Sequence, residues 1–263
     1  MNIGTAKPAD REQQSVPHHL YDIVDPDEDF GLAQYQGLAC QTIENIHKRG
    51  RLPVLVGGSG QYIWAVLEGW QIPHIRPDHD LRLRLEKIAL EQGIDVLFQQ
   101  LQEQDPQAAL QIDPRNVRRV IRALEVTRQS GQPFSKLKQK VDPGYSALII
   151  GLTSERQELY QRVDARVDEM IDAGLVNETK NLLERGYSFN LPALNSIGYT
   201  QIGMYLRGEI TLEEAATLIK NDNHRFIRHQ YAWFRLKDTR IQWLDVQTDI
   251  DSRALALVKK WIR

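Results

Sequence analysis

Leu52-Pro53-Val54-Leu55-Val56-Gly57-Gly58-Ser59-Gly60, running on into Gln61-Tyr62-Ile63-Trp64-Ala65-Val66-Leu67, is the stretch that decides the fold. A short apolar run that stops at a glycine cluster and gives way to a second apolar stretch of helical character predicts strand, tight turn and helix. Glycines at such a turn let the backbone approach a ligand, and the helix that follows presents free amides there. Ser59 adds a hydroxyl at the same mouth. Glycine turns of this kind are also common as purely structural corners of α/β proteins. The chain contains no Gly-Lys-Ser or Gly-Lys-Thr, so this turn is not a phosphate loop of the usual type.

Working outward, Leu32, Tyr35, Leu38, Ala39, Ile43 and Ile46 recur every three to four residues and predict a helix from about Leu32 to Arg49, stopped by Gly50. From Pro77 to Gly131 only helices are expected. Asp78 or Asp80 caps one that ends near Gly93, a second covers Val96 to Gln104, and Asp113 with Pro114 opens a third that stops at Gly131. A second strand is predicted at Ala147-Leu148-Ile149-Ile150. After it, Ser154 and Gln157 form the capping box of a helix reaching Ala173. Thr211 and Glu214 repeat that signal for a long helix through Phe234, and Ile241 to Leu244 reads as a last strand before a short terminal helix. Strands alternating with helices predict an α/β fold with a parallel sheet. The expected division is an α/β core from 1–75 and 141–263, with an inserted helical domain at 76–140.

The bulk properties exclude several classes. With 263 residues, 41% hydrophobic and 26% charged, the chain can bury a sizeable core. Its 33 basic and 35 acidic side chains leave a net charge of −2, so a nucleic-acid partner has to be recognised by local clusters. One such cluster is Arg115, Arg118, Arg119 and Arg122, spaced to share a helix face opposite Val117, Val120, Ile121 and Leu124. Guanidinium groups in a row repel one another unless an anion lies among them, which favours phosphate. The competing reading is a solvated face paired to acids such as Glu125. A second cluster holds Lys220, His224, Arg225, Arg228, His229 and Arg235 among Phe226, Tyr231, Trp233 and Phe234. Arginine interleaved with aromatic rings suits phosphates and unstacked bases, although such rings are as readily core.

Other candidates read as structural. His18 and His19, near Asp22 and Asp25, are expected to order a Pro-flanked loop rather than bind a metal. Asp164, Arg166, Asp168 and Glu169 read as a mixed-charge exposed face. The lone Cys40 excludes an internal disulfide and reads as a small core residue. No apolar run approaches the roughly 20 residues of a membrane span, and no membrane partner is expected. A cytoplasmic location is the default, and a monomer is expected.

Six stretches in order and spacing resemble the bacterial tRNA dimethylallyltransferases, a family of tRNA isopentenyltransferases. They are Ile3 to Pro8 (IGTAKP), Val16 to Pro26 (VPHHLYDIVDP), Val56 to Tyr62 (VGGSGQY), Arg119 to Val126 (RVIRALEV), Ile197 to Tyr199 (IGY) and Arg225 to Arg235 (RFIRHQYAWFR). The resemblance implies a P-loop NTPase-like parallel-sheet core carrying a helical insertion that grips the anticodon stem-loop of tRNA. It implies transfer of a dimethylallyl group from dimethylallyl diphosphate to the exocyclic N6 amine of the adenine 3′-adjacent to the anticodon, with magnesium (Mg2+) assisting. By position, Ser59 and Arg82 would contact the target nucleotide region. Arg118, Arg119, Val120, Ile121 and Arg122 would hold the tRNA, and Asn195, Ser196, Ile197, Gly198, Tyr199 and Thr200 would line its other side, with Arg225 and Arg228 adding the second basic cluster.

Ser59 stands where the family usually has Thr, and Asn223 and His229 where it usually has Thr and Arg. In the family, IGTAKP follows a strand, a phosphate loop and the acidic motif that supplies the general base. The expectation is therefore that these lie ahead of Met1, that no catalytic residue is nameable within the 263, and that the chain as written transfers little. The alternative reading is an N-terminally truncated, inactive tRNA-binding remnant. A third is a relative of small-molecule P-loop kinases with no RNA affinity.

Overall fold

The computed structural model describes residues 1–137 and 139–262, apart from the side chain of Asp10. In chain order the elements are α1 Asp10–Ser15, α2 Leu32–Lys48, α3 Gly60–Leu67, β1 Trp70–Gln71, α4 His79–Glu91, α5 Ile94–Gln104, α6 Pro106–Ala109, α7 Val117–Ser130, α8 Phe134–Leu137, β2 Gln139–Lys140, β3 Ile149–Thr153, α9 Arg156–Asp172, α10 Leu175–Glu184, α11 Tyr199–Leu206, α12 Leu212–Trp233, β4 Ile241–Asp245 and α13 Ile250–Ile262. The chain divides into two compact units, one of residues 1–28, 56–60 and 146–263, the other of residues 29–55 and 61–145.

In the second unit α4, α5 and the short α6 and α8 share a core with a stripe of α7. Val120, Ile121 and Leu124, at steps of one and three, are at most 3% exposed and meet Leu81 and Leu85 of α4 and Leu97 and Leu101 of α5. Each such side chain contributes roughly 1.5–3 kcal/mol on burial. Asp78 caps α4 by accepting from the Leu81 amide at 2.8 Å. α7 ends at Gly131, whose φ of +67° is a left-handed cap that glycine takes at no steric cost. The expected start at Asp113 and Pro114 gives way to one at Val117, because Asp113 is engaged by Arg115 through its amide and guanidinium at 2.7–3.1 Å. Asn116 takes the cap instead, accepting from the Arg119 amide at 3.2 Å. Buried Asp105 pins the far end of this layer: it accepts from Ala108, the Ser135 amide and the Ser135 hydroxyl at 2.7–3.0 Å. An antiparallel pair, Trp70↔Lys140 and Gln71↔Gln139, ties together the two chain ends of the helical stretch. Gly69 beside it sits at φ +55°, where a Cβ would lie 1.9 Å from the Val141 carbonyl oxygen.

In the first unit β3 and β4 are parallel, in register from Ile149↔Ile241 to Thr153↔Asp245, and the chain between them passes through four helices. β3 starts two residues later than the apolar run predicts, because pairing begins only where its partner begins, at Ile241. α9 also starts later: Glu155 is its cap, accepting from the Gln157 amide at 3.1 Å, and Ser154 is not. The Thr211–Glu214 capping box of α12 forms as expected, at 3.2 and 2.7 Å.

The largest departure is the expected buried strand at Leu52 to Val56. It takes no strand pairing among the described residues, and Val54 and Val56 are 76% and 86% exposed. A strand exists only against a neighbour, so an apolar run without one stays an unpaired extended segment. The structure is accordingly mostly helical, with β3 and β4 as the parallel pair.

Candidate nucleic-acid interface

The glycine turn is shaped by the end of α12. The Gln230 amide donates to the Gly58 carbonyl oxygen at 3.1 Å. A Cβ on Gly60 would lie 2.3–2.6 Å from the Trp233 Cβ and ring carbons, and one on Gly58 would lie 2.2 Å from Gln230 Nε2. These two glycines therefore admit α12, a packing role that the sequence left open against ligand approach. Ser59 between them is exposed.

On α7 the four arginines separate into different states. Arg115 precedes the helix and closes on Asp113, whose carboxyl is drawn down to about 2 chiefly by those hydrogen bonds. Arg118 and Arg119 are exposed. Val120 and Ile121 face the core, 0% and 3% exposed, and seat the helix. Arg122 turns to Glu125, a fully buried carboxylate that also holds Arg82. Glu125 Oε1 accepts from the Asp78 amide and Arg82 Nε, both at 2.8 Å; Oε2 accepts from Arg82 Nη2 at 2.9 Å and Arg122 Nη1 at 2.5 Å. Arg122 Nη2 also donates to the Ile75 carbonyl oxygen at 3.3 Å. Burial works to raise the Glu125 carboxyl, but the guanidinium groups of Arg82 and then Arg122 outweigh it and hold it below the usual range. The reading of this face as arginines paired to acids thus holds for Arg115 and Arg122.

α12 shows a similar separation. Lys220, His224 and Arg228, one helical turn apart, meet Asp168, Asp164 and Tyr160 of the antiparallel α9. The distances are 2.7, 2.8 and 3.3 Å, and the His224 and Tyr160 rings stack at 4.0 Å. Asp164 and Asp168 therefore form one side of a polar ladder, rather than a merely solvated face. Arg225 pairs with Asp222 at 3.2 Å and keeps most of its side chain exposed. Phe226 and Trp233 are 47% and 44% exposed, so these rings are not core.

The IGTAKP and IGY stretches meet through a residue that sequence reasoning passed over, Glu178. Its Oε2 accepts from the Asn2 and Ile3 amides at 2.8 and 2.9 Å, and its Oε1 from the Gly4 amide at 3.1 Å and the Tyr199 hydroxyl at 2.5 Å. Burial opposes the charge, and the Tyr199 hydroxyl with the three amides lowers the carboxyl in spite of it. Tyr199 is fully buried, and its ring lies 2.5 Å from where a Cβ on Gly4 would stand. Gly198 donates to Gln201, and Gln201 to Asp222, joining the turn before α11 to α12. Asn195 and Ser196 are exposed, while Ile197 and Thr200 are half-buried.

His18 accepts its expected loop role, with Nδ1 2.7 Å from the Val16 carbonyl oxygen, and Asp22 pairs with Lys7. Cys40 is half-buried, and burial pushes its thiol up, away from reactivity. Among the described residues no group of three or more His, Cys, Asp or Glu converges on a metal position. None of them is assigned as a ligand of the magnesium that the resemblance implies. No described helix is long and apolar enough to cross a membrane.

Comparison with known proteins gives consistent matches. The family model IPPT (IPP transferase) matches residues 1–237. The tRNA dimethylallyltransferase of Dehalococcoides mccartyi strain 195 is 48% identical over 262 residues, covering 100% of this chain and 81% of its own. That of Roseiflexus sp. is also 48% identical over 262 residues, covering 100% and 86%. The crystal structure of the full-length tRNA isopentenylpyrophosphate transferase of Bacillus halodurans superposes with a TM-score of 0.67 at 41% identity, over 99% of this chain and 82% of that one. A eukaryotic dimethylallyltransferase, whose crystallographic snapshots show it acting on tRNA, gives 0.75 at 25% identity over 99% and 69%. With the six motifs in order and the basic helix and glycine turn formed, this chain belongs to the IPP transferase family of tRNA dimethylallyltransferases.

Proposed function

We propose that this chain works as a tRNA dimethylallyltransferase that delivers the dimethylallyl group of dimethylallyl diphosphate to the N6 amine of the adenine 3′-adjacent to the anticodon. The observation that carries the reading is the 48% identity to such transferases across all of the chain. In this reading the protein is built on a P-loop NTPase-like α/β core, and residues 76–140 are the insertion that grips the anticodon stem-loop. Each unit brings its own basic surface. Arg118 and Arg119 supply charge to phosphates, and Arg82 and Arg122 supply fixed planar forks. Arg225, Arg228 and the exposed Phe226 and Trp233 offer cation and stacking surface.

The target base has to leave its stack before its amine can be reached, and aromatic and guanidinium planes stabilise it once out. An adenine amine is a weak nucleophile, so the reaction needs a base and a stabilised diphosphate leaving group. The residues assigned here bind and orient RNA, exposed Ser59, Asn195 and Ser196 among them, while buried Gly198 and Tyr199 hold the turn that presents the last two; no proton transfer and no magnesium step is assigned to them. A tRNA substrate accords with a cytoplasmic location.

The test is transfer of labelled dimethylallyl diphosphate to an anticodon stem-loop by the purified chain, with and without magnesium. Label in the RNA at the adenine N6 supports the reading. Salt-dependent binding without transfer favours the binding-only alternative, and neither binding nor transfer overturns both.

A further inference from the structure

We propose that Glu125 is a positioning residue for RNA recognition, its buried carboxylate setting the guanidinium planes of Arg82 and Arg122 before RNA arrives. This rests on the reading above that the α7 surface meets RNA. Glu125 interrupts a run of core residues, between Leu124 and Val126, both 0% exposed like itself. A well-packed apolar side chain there is generally no less stabilising than a buried ion cluster, so stability alone gives little reason for a carboxylate. Its acceptor capacity is fully committed, two donors to each oxygen. That saturation fixes both arginines, Arg82 through two nitrogens and Arg122 through one nitrogen with a second on the Ile75 carbonyl oxygen.

Neither arginine is used up. A guanidinium carries five N–H donors, and both side chains keep 34% of their surface exposed. Two guanidinium groups against one carboxylate leave the cluster with one net positive charge. What Glu125 supplies is order. An arginine immobilised on folding pays its rotamer entropy before binding, so its free edge meets a phosphate or a base edge at lower cost. Arg118 and Arg119, exposed on the same helix, contribute charge without that fixed geometry.

The experiment measures anticodon stem-loop binding by fluorescence anisotropy at several salt concentrations for the parent, Glu125→Gln, Arg82→Ala, the double variant and Arg82→Lys. Glu125→Gln and Arg82→Ala should each weaken binding about tenfold, and the double variant should lose more than Arg82→Ala alone, by the share of Arg122, but less than the sum of the two single losses. Arg82→Lys keeps the charge and a partner for Glu125 but lacks the planar fork, and should lose as much as Arg82→Ala. Arg82 is half-buried and lysine leaves a cation on Glu125, so this variant reports even if Glu125→Gln fails to fold.

Three results would overturn the proposal: tighter binding with a steeper salt dependence in Glu125→Gln, which marks a mere charge neutraliser; additive losses in the double variant; or parental affinity in Arg82→Lys. If Arg82→Ala and Arg118→Glu with Arg119→Glu all bind as the parent does, the RNA reading of the surface fails first, and the positioning role with it.

Discussion

Glu178→Gln is the substitution whose consequence can be followed furthest. The carboxylate accepts four hydrogen bonds, from the amides of Asn2, Ile3 and Gly4 and from the Tyr199 hydroxyl. Glutamine keeps one acceptor oxygen and turns a donor toward two of the four partners, so about two charge-assisted bonds are lost. At roughly 1.5 kcal/mol each this is about 3 kcal/mol. The loss falls on the attachment of the first residues to α10 and α11, rather than on the core of either unit. Amide hydrogen exchange at Asn2, Ile3 and Gly4 should therefore speed up about a hundredfold, while Leu175 and Ile202 amides change little.

The pH dependence has a definite sign. Because the folded carboxyl lies below its ordinary value, the protection is complete above the ordinary glutamate range and is lost as pH falls through the depressed folded value. Parent and variant should converge in acid, the parent falling and the variant staying flat. Equal protection at neutral pH, or the same acid profile in both, would refute the role given to this carboxylate.

Gly60→Ala drives a Cβ into the Trp233 side chain and should cost about 1–3 kcal/mol in urea denaturation, with part of the loss recovered in a Trp233→Ala background. Asp105→Asn leaves an amide facing the Ser135 N–H in a buried site and should cost about 2 kcal/mol. Burial raises the Asp105 carboxyl, but its Ser135 and backbone hydrogen bonds together lower it, so that cost should shrink as pH falls through its depressed value. On the α9–α12 ladder, Asp168→Asn should change stability by less than about 1 kcal/mol and less still at high salt, since the Asp168 side chain is 58% exposed; a larger loss would contradict a surface role.

What the sequence discloses follows the range of the forces involved. The stop at Gly131, the Thr211–Glu214 box and the α7 stripe are local, decided within one or two turns, and all form as expected. The strand at Leu52 to Val56 fails because strand formation depends on a distant partner that hydrophobicity does not name. Pairing by charge is legible only where it is local. Arg115 with Asp113 and Arg122 with Glu125 lie two and three residues apart, and Glu125 is named from the sequence as a possible partner, but nothing in the spacing says that Arg82, 43 residues away, closes on the same carboxylate. Glu178 and Glu125 look in the sequence like ordinary helical acids. A signal for Glu125 was nonetheless present, as an acid in phase with the apolar positions 120, 121 and 124. On α12 the i, i+4, i+8 spacing of Lys220, His224 and Arg228, against Asp168, Asp164 and Tyr160 running back along α9, was equally available as a ladder.

The most direct test of the central claim, that the exposed arginines of α7 meet RNA phosphates, is the salt dependence of anticodon stem-loop binding by the parent and by the variant with Arg118→Glu and Arg119→Glu. Both residues are exposed, so the fold should be unaffected. The account predicts weaker binding and a log–log salt slope shallower by about 1.4–1.8, two phosphate contacts' worth. Equal affinity and equal slope in parent and variant would contradict it.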